Sequence, residues 1–160
     1  MLRTILLLSY STMFCVTLLC LSGLGVAFDI VHTDHTLFAI LFMFLFVINE
    51  VLVIFFFIST GKYIKEYCKN RKNDPETLRK AAVIKKRGIP PAGINIVLFT
   101  FVFTAGGSIT ALNLSVWMHA VPALLLLLLF YRTLPERRIL LIENVKLLQS
   151  LNKNEADRTE

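Results

Sequence analysis

Residues 36–60 read TLFAILFMFLFVINEVLVIFFFIST, and this stretch decides the fold. Glu50 is its one residue with a charged side chain. About twenty apolar residues in a helix cross the ~30 Å hydrocarbon core of a bilayer. Because a backbone in lipid must satisfy its own hydrogen bonds, this run is predicted to be a transmembrane helix.

Three further apolar runs lie at residues 4–27, 91–112 and 116–134, and each is close to the length of a membrane span. The first run is interpreted as a retained helix, because signal peptides have a shorter apolar region of roughly 7–15 residues. The composition agrees: 56% of the 160 residues are hydrophobic and 18% are charged. Soluble domains average roughly 45–50% and 25%, so the sequence predicts a membrane protein.

Basic residues predict the orientation. Ten of the seventeen Lys and Arg residues lie between positions 62 and 87, so the connection 61–90 is predicted to be a cytoplasmic loop. Arg3 near the N-terminus and Arg132, Arg137 and Arg138 after the fourth apolar run place both termini on the same side. The predicted fold is therefore an all-α, integral-membrane, antiparallel four-helix bundle with cytoplasmic N- and C-termini. The predicted membrane-surface anchors are Lys62, Lys65, Lys85, Lys86 and Arg87.

Two cytoplasmic segments have helical signals of their own. Asp74-Pro75-Glu76 resembles a helix start, which predicts a short helix that Gly88 ends before Pro90-Pro91 open the third membrane helix. Residues 135–160 are predicted to be an amphipathic tail helix with a loose end, lying on the inner membrane surface or against a partner. Its apolar residues at helical spacing are Ile139, Ile142, Val145, Leu148 and Leu151.

The histidines are the first candidate site. His35 begins the second helix and His119 follows Trp117, an interfacial residue type, so both are predicted near the outer surface. Two imidazoles on facing helices are what axial ligation of heme b requires. Together with His32 and Asp34, the same residues would instead form an outer site for copper or zinc. A third interpretation is that these are interfacial histidines without a ligand.

The second candidate is a group of polar residues at membrane depth. Asn49 and Glu50 lie about 20 Å below the outer end of their helix at 1.5 Å per residue. A carboxyl group at that depth is costly and rarely faces lipid. Glu50 is therefore a candidate proton-relay group or ion ligand, or else it joins helices through a hydrogen bond to Asn95.

The stretch 58–66, ISTGKYIKE, and the tail residues Glu136, Glu143, Asn144, Leu147 and Leu148 carry a family resemblance. They resemble small, uncharacterised four-helix bacterial membrane proteins in which GTGK followed by a KE pair closes the second helix. Ser59 stands where that group has glycine. The resemblance covers about two-thirds of the chain. It implies a multipass protein of the bacterial inner (plasma) membrane, and it implies no activity.

Three functions remain open at this point. The first is a non-catalytic accessory or assembly subunit of a larger membrane complex, such as a respiratory complex, with the bilayer and other membrane subunits or a second copy as partners. The second is a heme b or metal protein that transfers electrons through His35 and His119. The third is a small proton-coupled carrier that uses Glu50. The chain lacks a Ser-His-Asp, Cys-His or HExxH arrangement, so an enzyme is not expected. The net charge of +6 is a topology signal rather than a sign of nucleic-acid binding.

Overall fold

The computed structural model describes residues 2–27, 35–70, 75–112 and 115–156. They form four α-helices: α1 (Leu2–Ala27), α2 (His35–Asn70), α3 (Pro75–Leu112) and α4 (Trp117–Ala156). All four helices are long and apolar enough to cross a membrane. Over the described residues, the predicted all-α class is confirmed, and so are four helices that are long and apolar enough to span a membrane.

The helices are arranged as a ring. Each packs against the next in the chain, α4 closes the ring against α1, and α2 and α4 also touch across the diagonal. Large apolar side chains cover the outside of every helix, as the exposed fractions of Phe14 (62%), Phe44 (58%), Val97 (71%) and Leu128 (59%) show. An apolar surface this extensive is unfavourable in water, so it is the lipid-facing surface of a multipass membrane protein.

The interior is apolar at three successive levels. The level nearest the histidines contains Val16, Phe46, Phe99, Val102, Leu126 and Phe130. The middle level contains Ile5, Val53, Phe56, Phe57, Ile84, Ala92, Leu140 and Leu141. The level farthest from the histidines contains Ile64, Cys68, Ala81 and Leu151, and α1 contributes no buried residue to it. At this end α2, α3 and α4 therefore continue past α1 as a three-helix extension.

The predicted loop 61–90 is mostly helical: the predicted helix start at Pro75 is confirmed, whereas the length of α2 and the continuity of α3 correct the sequence analysis. α2 continues to Asn70, and α3 begins at Pro75 and runs without interruption through Pro90 and Pro91. The many basic residues of this segment led to its interpretation as a loop. Ile64 and Cys68 nevertheless lie one helical turn apart and are both buried. Gly88 does not end a helix. It is buried against the Phe57 ring, which approaches so closely that only a residue without a Cβ fits.

The tail helix is also placed differently. It is a direct continuation of α4 through Pro135, and one of its faces packs on the chain's own helices. Asn144 donates a hydrogen bond to the Thr60 hydroxyl (2.6 Å), and Tyr67 donates one to the Leu151 carbonyl (3.2 Å). The buried face is rotated from the predicted one, since Ile139 is exposed.

Candidate functional site

A buried ion pair joins α2 to α4. Arg137 Nη1 donates to Glu50 Oε1 (2.8 Å), and Arg137 Nη2 donates to Glu50 Oε2 (2.7 Å). The two side chains are 0% (Glu50) and 4% (Arg137) exposed. The guanidinium also lies 5.2 Å from the centre of the Phe130 ring, within cation–π range. This bidentate geometry satisfies both carboxylate oxygens, which is what lets a charged pair remain inside an apolar bundle.

The ion pair is the centre of a polar layer formed by Ser9, Asn49, Glu50, Asn95 and Arg137. The Ser9 hydroxyl donates to Asn49 Oδ1 (2.9 Å), and Asn49 Nδ2 donates to Glu50 Oε1 (3.0 Å). Asn95 of α3 is 1% exposed at the same level, and its amide nitrogen has no hydrogen-bond partner among the described residues. The hydrogen bonds of the layer therefore link α1, α2 and α4, and Asn95 adds a buried polar side chain from α3.

The sequence identified Asn49 and Glu50 by depth and Asn95 as a partner for Glu50, and all three are buried. It missed Arg137, which was interpreted as a topology signal next to the C-terminal end. The matching depth of Glu50 and Arg137 could have been found by counting the residues between each of them and the histidine on the same helix. Glu50 lies fifteen residues from His35, and Arg137 lies eighteen from His119. At 1.5 Å per residue the two positions are at nearly the same depth.

The histidine pair, His35 and His119, meets at the end of the bundle where α2 and α4 begin. The ring centroids are 6.4 Å apart, and the ring planes are at 78°. His35 comes from the start of α2 and His119 from the start of α4, and both helices begin at this end of the bundle. The two residues that the sequence placed at matched depth are therefore neighbours in space.

Hydrogen bonds hold one nitrogen of each imidazole. His119 Nδ1 lies 2.9 Å from the Val102 carbonyl oxygen, which can only accept, so Nδ1 carries the proton. His35 Nδ1 lies 3.1 Å from Ser22 Oγ. Since that hydroxyl donates its proton to the Leu19 carbonyl (2.9 Å), His35 Nδ1 is the donor in this arrangement. In the neutral form of each ring, Nε2 then keeps its lone pair, which is the tautomer of a metal-ligating histidine.

Two glycines support the histidine pair. A Cβ at Gly106 would lie 2.9 Å from His119 Cε1, and a Cβ at Gly23 would lie 3.0 Å from His35 Cε1. Real Cβ atoms rarely approach other atoms so closely, so each imidazole occupies space that any other residue would fill. The glycines on α3 and α1 thus leave the space that both rings occupy.

The remaining predicted site residues are less informative. His32 and Asp34 lie outside the described residues, so the four-residue metal site that includes them stays a prediction. The predicted surface anchors are all exposed at the end of the bundle away from the histidines. One of them, Arg87, pairs with Glu136 at 2.9 Å. The chain matches no protein-family model, no curated protein and no solved structure, so its function is argued from these two sites.

Proposed function

We propose that the protein binds heme b through His35 and His119 and takes part in electron transfer within the membrane. The observation that carries this proposal is the approach of two imidazoles with anchored Nδ1 atoms and free Nε2 lone pairs. The 6.4 Å separation of the ring centroids brings two imidazole donors from different helices together, and these two rings would hold the metal ion of the group.

The described residues fit axial ligation by their donor chemistry. Neutral imidazole is a ligand for heme iron and also for copper and zinc. When bound, heme iron supplies one-electron redox chemistry. The chain's own part is to hold both rings: Ser22 and the Val102 carbonyl fix the tautomers, and Gly23 and Gly106 leave the space that the rings occupy.

An electron carrier exchanges electrons with other centres, so the protein is further proposed to act as an accessory or assembly subunit of a larger complex in the inner (plasma) membrane. The three-helix extension supports this role, because four exposed lysines lie on the part of it nearest the rest of the bundle. They are Lys62, Lys65, Lys85 and Lys86. These charges suit an acidic partner surface. Purification in a mild detergent is expected to retain partner subunits, and a protein that always purifies alone would contradict this role.

A carrier that uses Glu50 as its coupling acid is less well supported. Both oxygens of that carboxylate already accept hydrogen bonds from Arg137. A coupling acid has to exchange its proton during transport, whereas both side chains of this ion pair are buried away from solvent. The geometry favours a role for Glu50 in joining the helices.

The heme proposal predicts a spectrum. Protein purified with heme supplied during expression is expected to show a Soret band that sharpens and shifts on reduction with dithionite. His35→Ala and His119→Ala each remove one ligand, so both are expected to lose the reduced spectrum of a six-coordinate heme. Metal analysis of the same samples separates the alternatives: copper or zinc bound without heme, and lost in His32→Ala, would favour the outer metal site. Well-folded protein with neither heme nor metal would overturn both.

A glycine pair provides a finer test. Gly106→Ala would press a methyl group against His119, so it is expected to shift the Soret band or the reduction potential while both ligands remain. Gly107→Ala is the matched control, because a Cβ there has no atom within 4 Å. Equal spectra for Gly106→Ala and the unmodified protein would contradict the proposed ring placement.

A further inference from the structure

A groove lies between α1 and α4, at the end of the bundle away from the histidine pair. It has a volume of about 480 Å³ and is lined by Arg3, Leu6, Leu7, Tyr10 and Arg138. The first four residues belong to α1 and the last to α4. None of the five carries a negative charge.

The depth of the groove is set by helix geometry. Arg3 precedes Gly23, which touches His35, by twenty residues, and Arg138 follows His119 by nineteen. At 1.5 Å per residue both arginines lie about 30 Å from the histidine level. That distance equals the thickness of the hydrocarbon core. With the histidine pair at one edge of that core, as the sequence predicts, the two arginines lie at the opposite edge, beside the phosphate groups of one leaflet.

The charges in the groove are not neutralised. Among the described residues, neither Arg3 nor Arg138 has a hydrogen-bond or ion-pair partner, whereas Arg87 and Arg137 each have a carboxylate. A guanidinium fork matches the geometry of a phosphate group and binds it through two parallel hydrogen bonds. Two guanidinium groups without partners in one groove favour the binding of an anion.

The walls of the groove are apolar on the side of the bilayer centre. Leu7 is 67% exposed and Tyr10 is 40% exposed. They lie one and two turns above Arg3 along α1, which is the direction in which an acyl chain runs from its headgroup. The groove thus presents positive charge at headgroup depth and apolar surface at acyl-chain depth.

We infer that this groove binds an anionic phospholipid, with the phosphate between Arg3 and Arg138 and an acyl chain along Leu7 and Tyr10. Basic pockets between transmembrane helices bind acidic headgroups by the same chemistry. A free phosphate would satisfy the arginines but would leave the apolar wall without a ligand. This inference does not depend on the proposed heme.

The test uses purified full-length protein in detergent, with phosphatidylglycerol, phosphatidylcholine or inorganic phosphate added. Retained lipid is measured by native mass spectrometry, and affinity by the ligand-dependent shift of the melting temperature. Phosphatidylglycerol is expected to bind best. Arg3→Gln together with Arg138→Gln is expected to weaken its binding about tenfold or more. All replaced side chains are exposed, so the variants are expected to fold, which circular dichroism checks.

Arg132→Gln is the matched control, because Arg132 is an exposed arginine on α4 that does not line the groove. It is expected to leave phosphatidylglycerol binding within about twofold of the unmodified protein. Three results would overturn the inference: equal binding of phosphatidylcholine, an equal loss in Arg132→Gln, or complete competition by millimolar inorganic phosphate.

Discussion

Arg137→Met is expected to destabilise the bundle by about 3–5 kcal/mol, because it leaves the Glu50 carboxylate buried without its counter-ion. Glu50 is fully buried, and both of its oxygens accept hydrogen bonds from Arg137. The long apolar methionine side chain keeps most of the packing against Phe130, so the loss reports mainly on charge. The measurement is the midpoint of unfolding in detergent, followed by circular dichroism.

The double variant Glu50→Leu with Arg137→Met is expected to recover most of this loss, because replacing both members of a buried pair by apolar residues is often close to neutral. Arg87→Met is the control. Arg87 pairs with Glu136 at 2.9 Å, but those side chains are 58% and 48% exposed. A pair this open contributes about 0–1 kcal/mol. If Arg137→Met cost no more than Arg87→Met, the ion pair would not be what holds α2 to α4.

Gly88→Ala is expected to destabilise the bundle by about 1–3 kcal/mol through overpacking. A Cβ at this position would lie 2.6, 2.7 and 2.9 Å from three atoms of the Phe57 ring. Phe57 is 1% exposed and packed within the middle apolar level, so the ring has little room to move. The same unfolding midpoint measures the effect.

Gly93→Ala is the matched control for this prediction. Gly93 lies five residues further along α3, and a Cβ there meets nothing within 4 Å. Alanine is the better helix former, so Gly93→Ala is expected to be neutral or slightly stabilising. Combining Gly88→Ala with Phe57→Leu should restore part of the loss, because a smaller side chain frees the space. Equal stability of Gly88→Ala and Gly93→Ala would show that the Phe57 contact is looser than described.

The apolar runs made the four spanning helices predictable, because segments of this length and composition have one stable form in lipid. The continuity of α2, α3 and α4 was not predictable from the same signals. The basic run 62–87 resembles a loop when its charge is considered before the spacing of its apolar residues. Ile64 and Cys68, four residues apart, are the apolar positions that are buried in the structure. Gly88 looked like a helix end, because a glycine that ends a helix and one that admits a neighbouring ring are identical in sequence.

Depth was predictable for the site residues, but partners were not. The counts that placed His35 and His119 near one surface carry no information on helix rotation, so the ring contact needed the three-dimensional arrangement. The same holds for Glu50, whose burial was expected from its cost in lipid while its partner was not. A buried carboxylate needs a donor, and Arg137 was the candidate at matching depth that the sequence analysis assigned to topology instead.

The polar layer also constrains how the protein is made. Glu50 and Arg137 are 87 residues apart in the chain, on the second and the last helix. During translation α2 reaches the membrane before its counter-ion has been synthesised, and a lone carboxylate in hydrocarbon is costly. Until Arg137 emerges, Glu50 has to stay protonated or be sheltered by the insertion machinery. The ion pair between Glu50 and Arg137 therefore forms only after α4 has been delivered, and a chain truncated before α4 retains an acid without its counter-ion.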